Sequence, residues 1–345
     1  MEFRPTYVSH VLIPRFNMMT LTAIIEPMRT ANYLASEQLY RWDYRSPQPG
    51  PVTASNGLEV DCAALGERNG PLPDMIVVFG SWGTEHYRSP ALLNWLRRCE
   101  RKGSMLIGVE LGVYPLARAG LLAGRRATTH WSWKPGFVEA FPNVDVREQL
   151  YTIDGNLLTC AGGTAGLDLM LTLVARHHGE QLAAEVTNQL LHHPRRPPDG
   201  AQRHPTGSSD IEVHPNVRAA MSLLEANIEE PITVPELCNE LSVSQRQLER
   251  LFRQDIGCTV VQFSNLLRLQ YGRVLLTSTQ MTIREVSTAC GFNSMSYFSL
   301  CFAKVFGKKP SEYRQSWPDN EPAPAWPGTA YDFMRDARAI AKAKS

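Results

Sequence analysis

The sequence predicts an α/β parallel-sheet sandwich followed by an all-α domain with two helix-turn-helix units. Three observations predict it: short β-branched runs alternating with helix-period stretches in the first half, a Pro- and Arg-rich break, and a motif present twice in the last third. At 345 residues the chain is long enough for two domains, each burying its own core.

Taken in order, Tyr7 to Ile13, Met75 to Phe79, Met105 to Val109 and Leu157 to Cys160 read as buried strands, each followed by a turn and a helical segment. Ligands of such sheets gather at the carboxyl ends of the strands. The segments there are Gly80 to Gly83, Gly108 to Gly112 and Ala161 to Thr164. His192 to Ser209 reads HHPRRPPDGAQRHPTGSS, with no periodic apolar residue, and is expected to be a linker. The expected domains are therefore 1–191, a linker over 192–209, 210–317, and a tail over 318–345 with a second Pro-rich stretch.

The repeated motif runs from Thr233 to Gly257 and again from Thr282 to Gly307. Thr233 with Glu236, and Thr282 with Glu285, have the Thr-x-x-Glu spacing of a capping box, so two helix starts fall in matching register. In the second helix of the first copy, Leu248, Leu251 and Phe252 make an apolar face, opposite Arg246, Glu249, Arg250 and Arg253. In the second copy Phe298, Cys301, Phe302 and Val305 make the apolar face, and Ser296, Ser299, Leu300 and Ala303 the outer one. A helix, a turn and an exposed helix suit entry into a DNA major groove, whose base edges offer acceptors to Arg. A helical hairpin with a solvated charged face is the plainer alternative for either copy alone; the duplication argues against it.

Formal net charge is +1 at pH 7, which excludes a general polyanion binder. Between Ser244 and Arg314, however, ten Lys and Arg face four Asp and Glu. Lys304, Lys308, Lys309 and Arg273 are the expected phosphate contacts there. Seven scattered cysteines, never spaced C-x-x-C, point to reduced thiols used as small core residues, with no disulfide frame, metal site or cofactor expected. No apolar run has membrane-spanning length and MEFRPTYVSH lacks a signal pattern, so a cytoplasmic protein without a membrane partner is expected.

From about Val213 to Trp317, and above all in GFNSMSYFSLCFAKVFGKKPSEYR (Gly291 to Arg314), the chain resembles the DNA-binding domain of AraC/XylS-family regulators. The resemblance implies two units joined by a long helix, about Val260 to Thr277, that read successive major-groove segments of double-stranded DNA. It places Arg246, Glu249 and Arg250 at base-contacting positions of the first unit, and Ser296 and Ser299 at those of the second. Leu300 stands where an Arg is usual; it or Met295 suits contact with a thymine methyl, so the first unit is expected to carry most of the discrimination.

MLIGVELGVYPLARAGLLAGRRATTHW (Met105 to Trp131), with IIEPMRTAN (Ile24 to Asn32) and CAGGTAGLDLML (Cys160 to Leu171), resembles the sensor domain of GlxA-type AraC regulators. The implied fold is that of class I glutamine amidotransferases, flavodoxin-like and PfpI-like. Enzymes of this fold carry a Cys on a strained strand-to-helix elbow; here the elbow residue is Glu110, followed by Leu111 where several of them place a His. A carboxylate is a far poorer acyl nucleophile than a thiolate, so no enzymatic activity is expected. By resemblance Glu26 points toward the elbow, and two carboxylates in one site call for a cation between them. Trp82, Trp131 and Trp133 offer ring faces to such a cation, His130 and Thr129 offer hydrogen bonds, and the amides after Gly80 and Gly83 serve as anion donors. The same subfamily includes regulators that sense arginine, betaines and carnitine-like compounds. A small amine or zwitterionic effector is expected, with a homodimer, RNA polymerase as partner, and activation of genes for amine, betaine or amino-acid catabolism. The alternatives are a PfpI-like hydrolase or hydratase tethered to DNA, and an architectural DNA-binding protein whose first domain only dimerises.

Overall fold

A computed structural model describes residues 4–66, 72–202 and 213–315. The chain divides into two units, Met1–Gln202 and Arg203–Ser345. The first contains, in chain order, β1 (Thr6–Leu12), α1 (Met18–Ala35), β2 (Tyr40–Ser46), β3 (Gly50–Thr53), β4 (Glu59–Ala64), β5 (Met75–Gly80), α2 (Pro90–Arg101), β6 (Met105–Glu110), α3 (Val113–Arg118), β7 (Arg126–Ala127), α4 (Lys134–Ala140), β8 (Asp145–Val146), β9 (Tyr151–Asp154), β10 (Leu157–Cys160), α5 (Ala165–His178) and α6 (Glu180–Gln189).

Eight strands form one sheet in the order β3-β4-β2-β1-β5-β6-β10-β9. Pairing is parallel from β4 to β10 and antiparallel only at the two edges, β3 with β4 and β9 with β10. The four expected strands are its centre. Their continuous apolar runs follow from burial on both faces, since α1, α5 and α6 cover one side and α2, α3 and α4 the other. The strands outside this centre escaped prediction because β2, YRWDYRS, mixes charge into its pattern and β3, β4 and β9 are short.

Helix starts follow local chemistry. Asn17 caps α1 by accepting from the amides of Met19 and Thr20 at 3.0 and 3.4 Å. Ser89 caps α2, where Pro90 occupies the first turn that needs no amide donor.

The second unit is all helical in its described part: α7 (Pro215–Ala226), α8 (Val234–Glu240), α9 (Gln245–Asp255), α10 (Val260–Ser278), α11 (Ile283–Ala289), α12 (Met295–Phe306) and α13 (Pro310–Gln315). Both capping boxes form, Thr233 with Glu236 on α8 and Thr282 with Glu285 on α11. A third, Thr259 with Gln262, starts α10. Two small cores result, one around Leu237, Leu248 and Phe252 and one around Val286, Phe298 and Phe302, and α10 contributes to both. Val305, expected inside, is exposed, because the inner face of α12 is already filled by Phe298, Phe302 and the half-buried Phe306.

Two expectations about chain ends meet the structure differently. Residues 192–202, within the stretch that composition marks as linker, belong to the first unit and are hydrogen-bonded to it. Residues 203–209 and the tail over 318–345 lie outside the described residues.

Candidate functional site

Glu110 ends β6 at the turn into α3, with φ of 52°, the left-handed region that a residue with a Cβ rarely occupies. The elbow is fixed on both sides. Leu111 donates to Gly80 O on β5 at 3.1 Å and Gly112 to Val109 O at 2.8 Å. Gly112 must lack a side chain, since a Cβ there would overlap the Val78 carbonyl.

The Glu110 side chain is 6 % exposed. Its Oε1 accepts from Asn17 Nδ2 at 2.8 Å and Thr20 Oγ1 at 2.7 Å, and Ser81 and the Gly163 amide also donate to the carboxyl. Burial pushes its pKa above the ordinary carboxylate range, and these donors oppose that shift. Gly162, at φ 95°, leaves the space that the Glu110 side chain fills. Thr129 Oγ1 donates to Glu110 O at 2.9 Å, which joins the loop after β7 to the elbow.

Around this carboxyl the expected ligand residues divide. Trp82 is 38 % exposed in the loop after β5, beside Ser81 and Gly83, the latter at φ 90°. His130 follows Thr129 and its ring lies tilted against Trp131 at 5.5 Å between centroids; burial pushes its pKa down to about 4, so it is neutral at pH 7. Trp131 is half-buried, with its amide donating to Gln202 Oε1 at 2.7 Å. Two residues are not brought together with the elbow. Glu26 turns to Arg29, one turn along α1, in an exposed pair at 2.7 Å, because its position on α1 lies off the buried face that carries Thr20 and Ile24. Trp133 is buried in the core beneath α3 and α4, among Tyr114, Phe137 and their neighbours. The paired-carboxylate cavity expected from Glu26 and Glu110 is therefore absent.

Sequence reasoning missed the donors Asn17, Thr20 and Ser81. It also missed Arg118, which ends α3 and donates to the carbonyls of Thr84, Tyr87 and Glu85, holding the loop that carries Trp82. Asn17 is detectable as a helix cap, but its second bond, across 93 positions of chain, leaves no local signal. A cavity of about 380 Å³ lies at the opposite, amino-terminal strand ends, lined by Arg4, Asp74, Asn156 and His177, and contains none of the expected ligand residues.

In the second unit Arg246, Arg250 and Arg253 are exposed on α9 and Glu249 is half-buried, its Oε2 enclosed without a partner among the described residues. On α12 Met295, Ser296, Leu300 and Lys304 are exposed, while Ser299 and, just past the helix, Lys308 are half-buried. Arg273 does not join the phosphate-facing set. It is 3 % exposed, its guanidinium over the rings of Phe306 and Tyr313 at 5.6 and 5.8 Å, where it ties α10 to α12 and α13. Arg268 acts likewise: it donates to Cys290 O at 2.7 Å and to Gly291 O, and covers the Phe292 ring at 4.0 Å.

A flavodoxin-like sheet with an occupied elbow, carried on one chain with two helix-turn-helix units, defines a DNA-binding transcriptional regulator. Residues 9–176 match the DJ-1/PfpI family and residues 237–316 a helix-turn-helix domain. The HTH-type transcriptional regulator CdhR of Pseudomonas aeruginosa is 40 % identical, covering 92 % of this chain and 94 % of its own. GlxA of Rhizobium meliloti, also an HTH-type transcriptional regulator, is 33 % identical over 89 % of this chain and 95 % of its own. Among solved structures, an AraC family transcriptional regulator from Pseudomonas putida is 27 % identical, with a TM-score of 0.49, and aligns over 54 % of this chain and 100 % of that one. The chain belongs to the GlxA-type AraC/XylS family of HTH-type transcriptional regulators, with an amino-terminal DJ-1/PfpI domain.

Proposed function

We propose that the chain is a ligand-responsive activator whose effector, a small cationic or zwitterionic amine, is sensed at the Glu110 elbow. One observation carries this: a buried carboxyl bonded, among the described residues, only by neutral donors. Such a group is costly to ionise, and a ligand cation relieves that cost. Trp82 and Trp131 supply ring faces for an ammonium or guanidinium. Glu26 and Trp133 have no part in this reading, which leaves Trp82, Gly83, Glu110, His130 and Trp131 as ligand residues.

Acyl transfer is not part of the function. A carboxyl stands at the elbow, and Cys160, a thiol close enough to feel the charge of Glu110, is fully buried with its pKa pushed up to about 12, so it stays protonated at neutral pH. On DNA, Arg246, Arg250 and Arg253 on α9 present forked donors to base edges and phosphates, with Glu249 beside them, while α12 offers Ser296, Ser299 and the apolar Met295 and Leu300. Lys304 and Lys308 add phosphate contacts. A homodimer recruiting RNA polymerase to genes of amine, betaine or amino-acid catabolism completes the reading.

Thermal melting of the full chain with arginine, glycine betaine, carnitine and polyamines tests the effector class. One of these amines is expected to raise Tm in the wild type and not in Glu110→Gln. No shift with any of them, or an equal shift in the variant, removes the amine from the proposal.

A further inference from the structure

The eleven residues that follow Leu191 leave α6 and run back across the carboxyl-end face of their own unit before the chain continues to the DNA-binding domain. Two side chains anchor this strap. Arg196 grips the fully buried Asp168 in the first turn of α5: Nε and Nη2 donate to Oδ2 at 2.9 and 2.6 Å, and the Arg196 amide donates to Oδ1 at 2.7 Å. His192 Nε2 lies 2.9 Å from the same Oδ1. Farther on, the Gln202 amide nitrogen donates to Thr129 O, Thr128 Oγ1 and Gln149 O at 2.9, 3.0 and 2.7 Å, while its oxygen accepts from the Trp131 amide. Between the anchors, Pro198 O accepts from Leu150 N at 3.0 Å.

Each anchor connects to Glu110 through a short chain of hydrogen-bonded residues. Arg196 Nη2 also donates to Thr164 Oγ1 at 2.8 Å, and Thr164 closes the Gly162–Gly163 turn. That turn donates through the Gly163 amide to Thr20 Oγ1 at 2.9 Å, and Thr20 donates to Glu110. Gln202 holds the carbonyl of Thr129, whose hydroxyl is bonded to the Glu110 carbonyl. Two walls of the elbow site are thus held by the segment that leads out of the domain.

We propose that Arg196 and Gln202 are positioning residues of the Glu110 site, and that docking of strap 192–202 and the state of that site form one equilibrium. This rests on the reading of Glu110 as the effector site and supplies its route of output. By linkage the coupling is reciprocal: the free energy by which a change at Glu110 biases strap docking is that by which strap docking biases the same change. The strap is continuous with residue 203, so its release puts eleven more residues of chain between the body of the first unit and the DNA-binding unit.

Hydrogen exchange on the full chain reads both directions without an effector. Glu110→Gln is expected to speed exchange of amides in 192–202 by about tenfold, within the usual range of coupling between sites, while the remote α2 is unchanged. Conversely, Arg196→Lys, which keeps the charge on Asp168 but loses the fork to Thr164, and Gln202→Ala are expected to speed exchange in 161–166 and 128–131 respectively. Strap protection unchanged in Glu110→Gln, or a freed strap with both walls unaltered, overturns the proposal. If an amine binds wild type and the exchange coupling is absent, this inference fails and the effector reading stands. If coupling is present and no amine binds, the reverse holds.

Discussion

His10 on β1 is fully buried, stacked on Tyr44 at 5.8 Å and tilted against Phe79 at 5.6 Å, and neither ring nitrogen has a hydrogen-bond partner among the described residues. Burial pushes its pKa down to about 3, against a small opposing effect of Asp43. The unfolded chain takes up this proton near pH 6.5 and the folded chain does not. The stability associated with the neutral ring is therefore full above pH 6.5 and is lost as pH falls through the window from 6.5 to 3, by about 1.4 kcal/mol per pH unit. Replacing His10 by Leu is expected to stabilise the first unit by about 1–3 kcal/mol, the cost of two unpaired polar atoms, and to flatten this acid slope. Urea unfolding at pH 5 and pH 7 measures both, and a variant less stable than wild type at both values contradicts the account. Glu85, raised to about 7 by burial, has the opposite sign and favours the folded state as pH falls from 7 to 4.5; it is common to both proteins, so their difference isolates His10.

At the level of elements, α9 and α12 occupy equivalent places in the two units but offer different chemistry to a groove. Leu300 is 68 % exposed and Met295 43 % exposed on α12, whereas α9 presents arginines. In a duplex selected from a random pool by the full chain, replacing thymine by uracil under α12 removes only the C5 methyl. Affinity is expected to fall several-fold, in line with apolar contact to that methyl, and Leu300→Ala is expected to abolish the difference. A uracil duplex bound as tightly as the thymine one assigns α12 to backbone positioning alone. The caps give a second test at this scale: Thr233→Ala and Thr282→Ala are each expected to lower stability by about 1 kcal/mol in denaturant unfolding.

These helices were legible because their signals are local. A Thr-x-x-Glu spacing states where α8 and α11 begin, and threefold and fourfold spacing separates the faces of α9. The central strands were legible from burial on both faces. What was not legible depends on distant pairing. Arg273 reads as a basic residue in a basic region until Phe306 and Tyr313 are found beneath it. Glu26 reads as a pocket residue until its rotation on α1 pairs it with Arg29. Asn17, Thr20 and Ser81 are ordinary polar residues until folding directs them at Glu110.

For the whole molecule, composition and energetics disagree about where the first unit ends. Proline and arginine in 192–202 resemble a solvated linker, yet Asp168 is fully buried and its counter-charge, Arg196, lies within that stretch. A fragment ending at residue 191 leaves the carboxylate without Arg196 or His192, and removing one partner of a buried pair costs about 3–5 kcal/mol. Fragment 1–202 is therefore expected to melt well above fragment 1–191 in a side-by-side thermal scan. Equal melting temperatures would show that the strap adds nothing to the unit it crosses.

Gly162 leaves the room that the Glu110 side chain fills, and Asn17, Thr20 and Ser81 are directed at its oxygens. A cysteine side chain at position 110 has three fewer heavy atoms and accepts hydrogen bonds weakly. Installing the thiol alone would open a void and deprive Asn17, Thr20, Ser81 and the Gly163 amide of their carboxyl acceptor. The surroundings of Glu110 are complementary to a carboxyl in both volume and hydrogen bonding, and a thiol placed there alone meets neither.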